Sequence, residues 1–219
     1  MLALAVTCAA CTSSGSAGPQ SDGSSAAAAK LAELAGRGAK ATYTGIYSFH
    51  QVTPNSTAMV DVWRAPPNLR VDVVAGGATA SFIRTAAATY SCATKKHKVS
   101  CFTVAGRGQK APAPFDVGPA ALFSDELETL SASGLSYVVT LASPVPASDH
   151  VPAATCFAIK AGLLTPQPAV QPGTYCFAET GVLTSVTYPS GNTAQATLVL
   201  PTAPAKRFKP YAKPAPLPS

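Results

Sequence analysis

Any chemistry this chain performs has to come from six cysteines, three histidines and ten carboxylates. The cysteines carry the clearest pattern. Cys8 and Cys11 lie among the first residues, and Cys92, Cys101, Cys156 and Cys176 lie in the body of the chain. In an exported chain an even set of four reads as disulfides, for which three connectivities exist. The two local pairs, Cys92–Cys101 and Cys156–Cys176, are expected because each flanks an apparent hairpin. Zinc fits poorly, since the spacing of the four is wrong for a zinc site. His50, His97 and His150 are isolated from one another. Ser148-Asp149-His150 is a loop tripeptide, and a triad is assembled in space rather than from adjacent residues. No G-x-S-x-G elbow and no glycine-rich phosphate loop occurs. Asp125, Glu126 and Glu128 read as the solvated side of a helix. Asp61 and Asp72 are close carboxylates on expected strands, but on a face that reads as exterior, which argues against a glycosidase pair. Neither catalysis, a metal nor a cofactor is expected.

The N-terminus suggests export. Residues 1–15 run from an apolar stretch through small residues to Cys11 and then a Ser/Gly-rich segment. That is the order of a bacterial lipoprotein signal, in which the cysteine of a small-small-Cys box is lipidated and becomes the mature N-terminus; Ala9-Ala10-Cys11 is such a box. Cys8 stands where an aliphatic residue is usual, and no Lys or Arg precedes the apolar run. The expected start therefore lies upstream of Met1, or the leader is unusual. The alternative is an ordinary secretory leader cleaved near Ala10. A transmembrane helix is not expected, because it needs ~20 apolar residues and about half that number is present. Residues 1–11 are read as the signal, 12–25 as a flexible tether, and Cys11 as a lipid anchor on the extracytoplasmic face of the cell membrane.

The elements that would position a site are mostly strands. Hydrophobic residues make up 47% of the 219-residue chain and charged residues 12%, enough apolar material for one domain with a substantial core. A net charge of +6 favours anionic surfaces, but the basic residues cluster only at Lys95-Lys96-His97-Lys98 and Lys206-Arg207-Phe208-Lys209, so nucleic-acid binding is not expected. Residues 26–36 read as a helix ended by Gly36 and Gly38. Period-two alternation marks strands over 42–52, across the passage Val60 to Val74 with a Pro66-Pro67-Asn68 turn, and again over 78–85, 88–92 and 99–104. In the passage 60–74, Val62 should face Val71, Val60 should face Val73 and Trp63 should face Arg70. Asp61 then opposes Asp72, with Arg70 diagonally in reach of Asp61. Residues 119–131 read as a helix with Leu122, Phe123, Leu127 and Leu130 as its apolar stripe. Strands follow at 136–142, 155–160, 173–178, 182–188 and 194–200. Residues 201–219, rich in proline and basic side chains, should be an extended tail.

Tyr43-Thr44-Gly45-Ile46-Tyr47, the passage Val62-Trp63-Arg64-Ala65-Pro66-Pro67-Asn68-Leu69-Arg70-Val71-Asp72, and Thr174-Tyr175-Cys176-Phe177-Ala178-Glu179-Thr180-Gly181-Val182-Leu183 resemble the LolA/LolB-like superfamily of lipoprotein carriers, including the LprG-type lipoproteins of mycobacteria. The resemblance spans residues 26–200. It implies an α+β fold: a strongly curved antiparallel half-barrel of about 11 strands with helices on its concave face, around an apolar cavity for acyl chains. Two disulfides, an anchor and a basic tail depart from the carrier pattern and favour an anchored protein over a diffusing shuttle.

Two functions follow. In the first, a monomeric membrane-anchored lipoprotein binds lipid or another apolar ligand for transport or sensing. Tyr43, Tyr47, Phe49, Val60, Val62, Leu69, Val71 and Val73 then line the cavity, with Leu122, Phe123 and Leu127 as a lid. In the second, the same scaffold is a protein-interaction or envelope-stress sensing module with no small-molecule ligand, working through an exposed edge strand and the Trp63/Arg70 face.

Overall fold

Alternating apolar residues at 43–51 and 56–65 form β1 (Tyr43–Gln51) and β2 (Ser56–Ala65), the start of a meander that continues through β3 (Asn68–Ala75), β4 (Ala78–Arg84), β5 (Ala88–Lys95) and β6 (Lys98–Gly106). The computed structural model describes residues 20–112, 118–132, 137–162 and 170–217, with side chains from Ser24 onward. The expected signal 1–11 with its expected lipidation residue Cys11, and residues 12–19 of the expected tether, lie outside the described residues. A second meander runs through β7 (Tyr137–Val145), β8 (Ala154–Ala161), β9 (Gly173–Ala178), β10 (Leu183–Thr187) and β11 (Thr193–Leu200). The two meanders join where β1 pairs antiparallel with β11. The eleven expected strands are thus present in one open, curved sheet. A twelfth, β12 (Ala215–Pro216), comes from the tail and pairs parallel with β6.

The β2–β3 hairpin has the register that its alternation predicts. Val60 faces Val73, Val62 faces Val71, Trp63 faces Arg70 and Asp61 faces Asp72, around Pro66-Pro67. Each disulfide joins residues directly opposite on adjacent strands, Cys92 to Cys101 and Cys156 to Cys176. Both sit on the outer face, in clusters separate from the main core.

Helix α1 (Gln20–Lys40) differs from expectation at both ends. Residues 20–25, read as tether, are its first turns. It also runs through Gly36 and Gly38 instead of stopping there. A Cβ on Gly38 would lie 2.1 Å from the carbonyl oxygen of Gly181, and one on Gly181 would lie 2.3 Å from the carbonyl oxygen of Leu34. These glycines let the helix backbone touch the β9–β10 turn. That contact outweighs the ~1 kcal/mol by which glycine weakens a helix. Arg37 adds hydrogen bonds to the Glu179 carbonyl and carboxylate.

The second helical segment, α2 (residues 119–130), packs against α1. Its middle, Leu122–Glu126, is a π turn between single α turns. Leu122 and Leu127 are five residues apart, a spacing that an α-helix splays and the i→i+5 register of a π turn aligns. Leu122, Phe123, Leu127 and Leu130 are all buried, as their stripe predicts. The same turn brings Glu126, expected on the solvated side, to the Tyr175 hydroxyl, which donates to it at 3.1 Å.

Candidate functional site

The concave face was the expected ligand cavity. Tyr43, Tyr47, Phe49, Val60, Val62, Leu69 and Val71 do share it, with Val73 partly buried at its margin. Leu122, Phe123 and Leu127 cover it from α2, and Leu31, Leu34 and Ala35 from α1. These side chains touch one another, so the residues named as lining and lid are the core of the domain. Gly45 contributes by what it lacks: a Cβ there would meet the Tyr47 ring at 2.6 Å. The ring lies across that gap, stands 4.6 Å from Phe123, and reaches the Leu183 carbonyl with its hydroxyl at 2.7 Å. Burial pushes the Tyr43, Tyr47, Tyr175 and Tyr188 phenols up, so they stay neutral.

One residue on this face escaped sequence reasoning. Arg64 continues the Val60–Val62 row inward and is 3% exposed. It donates to the Phe123 carbonyl and, at 3.3 Å, to the Ala39 carbonyl, tying both helices to β2. Its place two residues after Val62 on the alternating face was the available signal. Beside it opens a groove of about 920 Å³ between α2, the β2–β3 turn and the β4–β5 turn. The groove is mixed in character: Arg84 pairs with Glu128 and Lys110 with Asp125 around it, and Ala39, Pro66, Pro67 and Ala86 supply apolar surface.

On the outer face, the Trp63/Arg70 patch is covered. The expected extended tail instead folds back over it, with a 3-10 turn at Ala205–Phe208 and Phe208 buried. Arg70 forms a bidentate pair with Asp72, both contacts at 2.8 Å, and donates to the main-chain carbonyls of Arg207 at 2.7 Å and Lys209 at 3.4 Å. Its guanidinium lies 5.5 Å from the Trp63 ring, as expected of a cation–π pair, and 4.0 Å from the Tyr211 ring. Arg207 adds a second cation 4.8 Å from Trp63. The Tyr211 hydroxyl donates to Asp72 at 2.6 Å.

Arg70 was expected to offset Asp61. It binds Asp72 instead, because residues i and i+2 of β3 share a face and the fork closes on the nearer carboxylate. Asp61 keeps a buried oxygen without a hydrogen-bond partner. Burial first, then the Asp72 charge, raise the Asp61 pKa above the ordinary 3.8, against a partial offset from Arg207 and Arg70. Asp72 is also raised, by burial that outweighs its bonds to Arg70. A carboxyl whose folded pKa is raised binds its proton more readily when folded. Between pH 3.8 and the raised value, stability therefore falls as pH rises. Asp61→Asn is expected to stabilise the domain at pH 7 by about 1 kcal/mol, with no gain below pH 3.8; urea titrations at both pH values check this.

The two edges of the sheet differ. β12 covers β6 on one side. On the other, β7 pairs only with β8 among the described residues, and Val138, Leu141 and Val145 are exposed at 48%, 66% and 40%. Leu141 stands opposite the fully buried Phe157 on β8, so it continues the core row past the cover of the helices.

No protein-family model matches the sequence, and no curated protein sequence does. Solved structures do share the fold. A crystal structure of MucB aligns with TM-score 0.52 at 15% identity, over 84% of this chain and 64% of that one. The Pseudomonas aeruginosa MucA/MucB complex aligns with TM-score 0.49 at 15% identity, over 84% of this chain and 60% of that one. MucB in complex with MucA(peri) gives 0.46 at 17% identity, over 82% and 57%. The chain thus spans less than two thirds of the proteins it matches. The half-barrel and its likeness to MucB support a LolA-like fold; the likeness does not extend to the LprG-type lipoproteins.

Proposed function

We propose that this domain is an extracytoplasmic protein-interaction module that docks an extended segment of a protein partner along β7. The observation that carries the reading is the largely exposed stretch 140–145 of the β7 edge; nearer the start of the strand α1 packs against it, and Ser24 donates to the Val139 carbonyl at 3.1 Å. β7 is a nine-residue strand, Tyr-Val-Val-Thr-Leu-Ala-Ser-Pro-Val, without one charged side chain. Edge strands are ordinarily guarded by charge, proline, bulges or cover, because their unpaired N–H and C=O groups template another strand; β7 has Pro144 and a register shift between Ala142 and Val145 but no charge. Here the partner's backbone would extend the ladder, and Val138, Leu141 and Val145 would supply apolar contacts. The disulfides fit a domain working outside the cytoplasm. Lipidation at Cys11 would hold it at the membrane. It acts by binding, with no catalytic step, and envelope-stress sensing follows if the docked segment belongs to a regulator. The reading gives this chain the kind of partner, a protein, that MucB has in MucA. Carriage of an acyl chain would instead require α1 and α2 to leave the concave face.

A photo-crosslinking residue at position 141 tests this in cells. One protein adduct is expected, and Val138→Lys placed beside the probe should reduce it at least tenfold. Because Val138 is half-exposed, that substitution should change stability by no more than about 0.5 kcal/mol. Lipid adducts alone, or a protein adduct indifferent to the lysine, would overturn the reading.

A further inference from the structure

The C-terminal segment shows what the outer face of the first meander binds. We infer that this face is a peptide-recognition site, occupied here by the chain's own residues 204–216, and that it takes a cationic Arg-aromatic-x-x-Tyr segment of a protein partner in their place.

The contacts have the character of recognition and not of core. Arg70 aims donors at two main-chain carbonyls, which any peptide carries. Trp63 receives the Arg207 guanidinium, Asp72 accepts from the Tyr211 hydroxyl, and the β6 edge takes Ala215 and Pro216 as a parallel strand. No side chain of the segment belongs to the main core cluster. The receiving face is built without it: Arg70 and Asp72 are two residues apart on β3 and satisfy each other, so the site is pre-organised when the segment leaves. Charge is complementary too. The segment brings Arg207 to a face whose carboxylates are Asp61 and Asp72, and its charge partly offsets the raised pKa of both. This face lies on β2 to β6, away from β7, so its test does not depend on docking at that edge.

The chain has a single tryptophan, and Trp63 sits inside the site. In the full-length Arg207→Ala/Tyr211→Ala variant, acrylamide quenching of Trp63 is expected to rise severalfold with an unchanged circular dichroism spectrum. A synthetic peptide of residues 203–217 should restore the shielding, while a peptide with alanine at 207 and 211 should not. A milder variant covers the case in which the double substitution unfolds the chain. Tyr211→Phe removes one hydrogen bond to a charged group, so it should raise the affinity for the labelled peptide roughly tenfold over the wild type, read by anisotropy. Trp63 that stays shielded in the folded double variant, or a peptide that binds the wild type and Tyr211→Phe equally, overturns the site. Wild-type dimers made by exchange of C-terminal segments, seen by sedimentation, would overturn the partner assignment in favour of a second copy.

Discussion

Asp72→Ala is expected to destabilise the domain by about 3–5 kcal/mol, read as a lowered urea midpoint at unchanged slope. The size follows from what the substitution leaves behind. Arg70 is 2% exposed, and Asp72 supplies the only carboxylate bonded to it among the described residues. Without Asp72 the guanidinium is held only by two carbonyls of the tail and by the Trp63 and Tyr211 rings. A buried charge stripped of its counterion costs far more than the intact pair contributes, because the desolvation is already spent. The raised pKa of Asp72 says the same from the other side: burial outweighs the attraction of Arg70. Replacing both residues, as in Arg70→Met with Asp72→Leu, should therefore cost much less than Asp72→Ala alone. A double cycle giving additive losses would contradict this account. The single variant should also loosen residues 204–216, since it removes the acceptor of the Tyr211 hydroxyl.

Phe123→Ala is expected to cost about 3–5 kcal/mol, the usual range for a buried phenylalanine. Phe123 is fully buried, lies against Tyr47, and belongs to the turn whose carbonyl binds Arg64. The informative readout is a second one. If the interior is filled, the wild type should take up no small apolar probe such as benzene or xenon, whereas the variant should acquire a dry cavity that does. Uptake by the wild type at the same affinity would return an apolar ligand to the concave face.

Much of this arrangement is legible in the residues. The period-two pattern of 60–74 with its Pro-Pro turn sets the register, because a slip by one residue would send Val60, Val62, Val71 and Val73 to the wrong side. The stripe at 122, 123, 127 and 130 locates α2, and its five-residue step holds the π turn for anyone who weighs it. Pattern cannot report volume. The same alternation lines a cavity or a core, and the residues of this row are buried in one cluster under two helices. Gly38 misleads because helix propensity is local and its approach to Gly181 is not. The tail misleads because a proline-rich segment declares what its backbone cannot do, and leaves unstated which surface awaits it. A clue was present: the opposed Asp61 and Asp72 need cations, and Lys206-Arg207 lies in the one other basic cluster besides the β5–β6 tip.

The seam between the two meanders bears on how the domain comes into being. β1 finds β11 as its second neighbour, pairing Thr44 with Leu200 and His50 with Thr193. Ladders so distant along the chain form late and slowly, since the intervening loop must be ordered before the contact rewards it. As the polypeptide emerges N-terminus first, the first meander can assemble while one flank of β1 stays bare. It stays so until the last strand of the second meander arrives. For that interval the nascent chain offers a sticky margin to whatever accompanies it through export, and the rate of seam closure governs how much of it escapes misassembly.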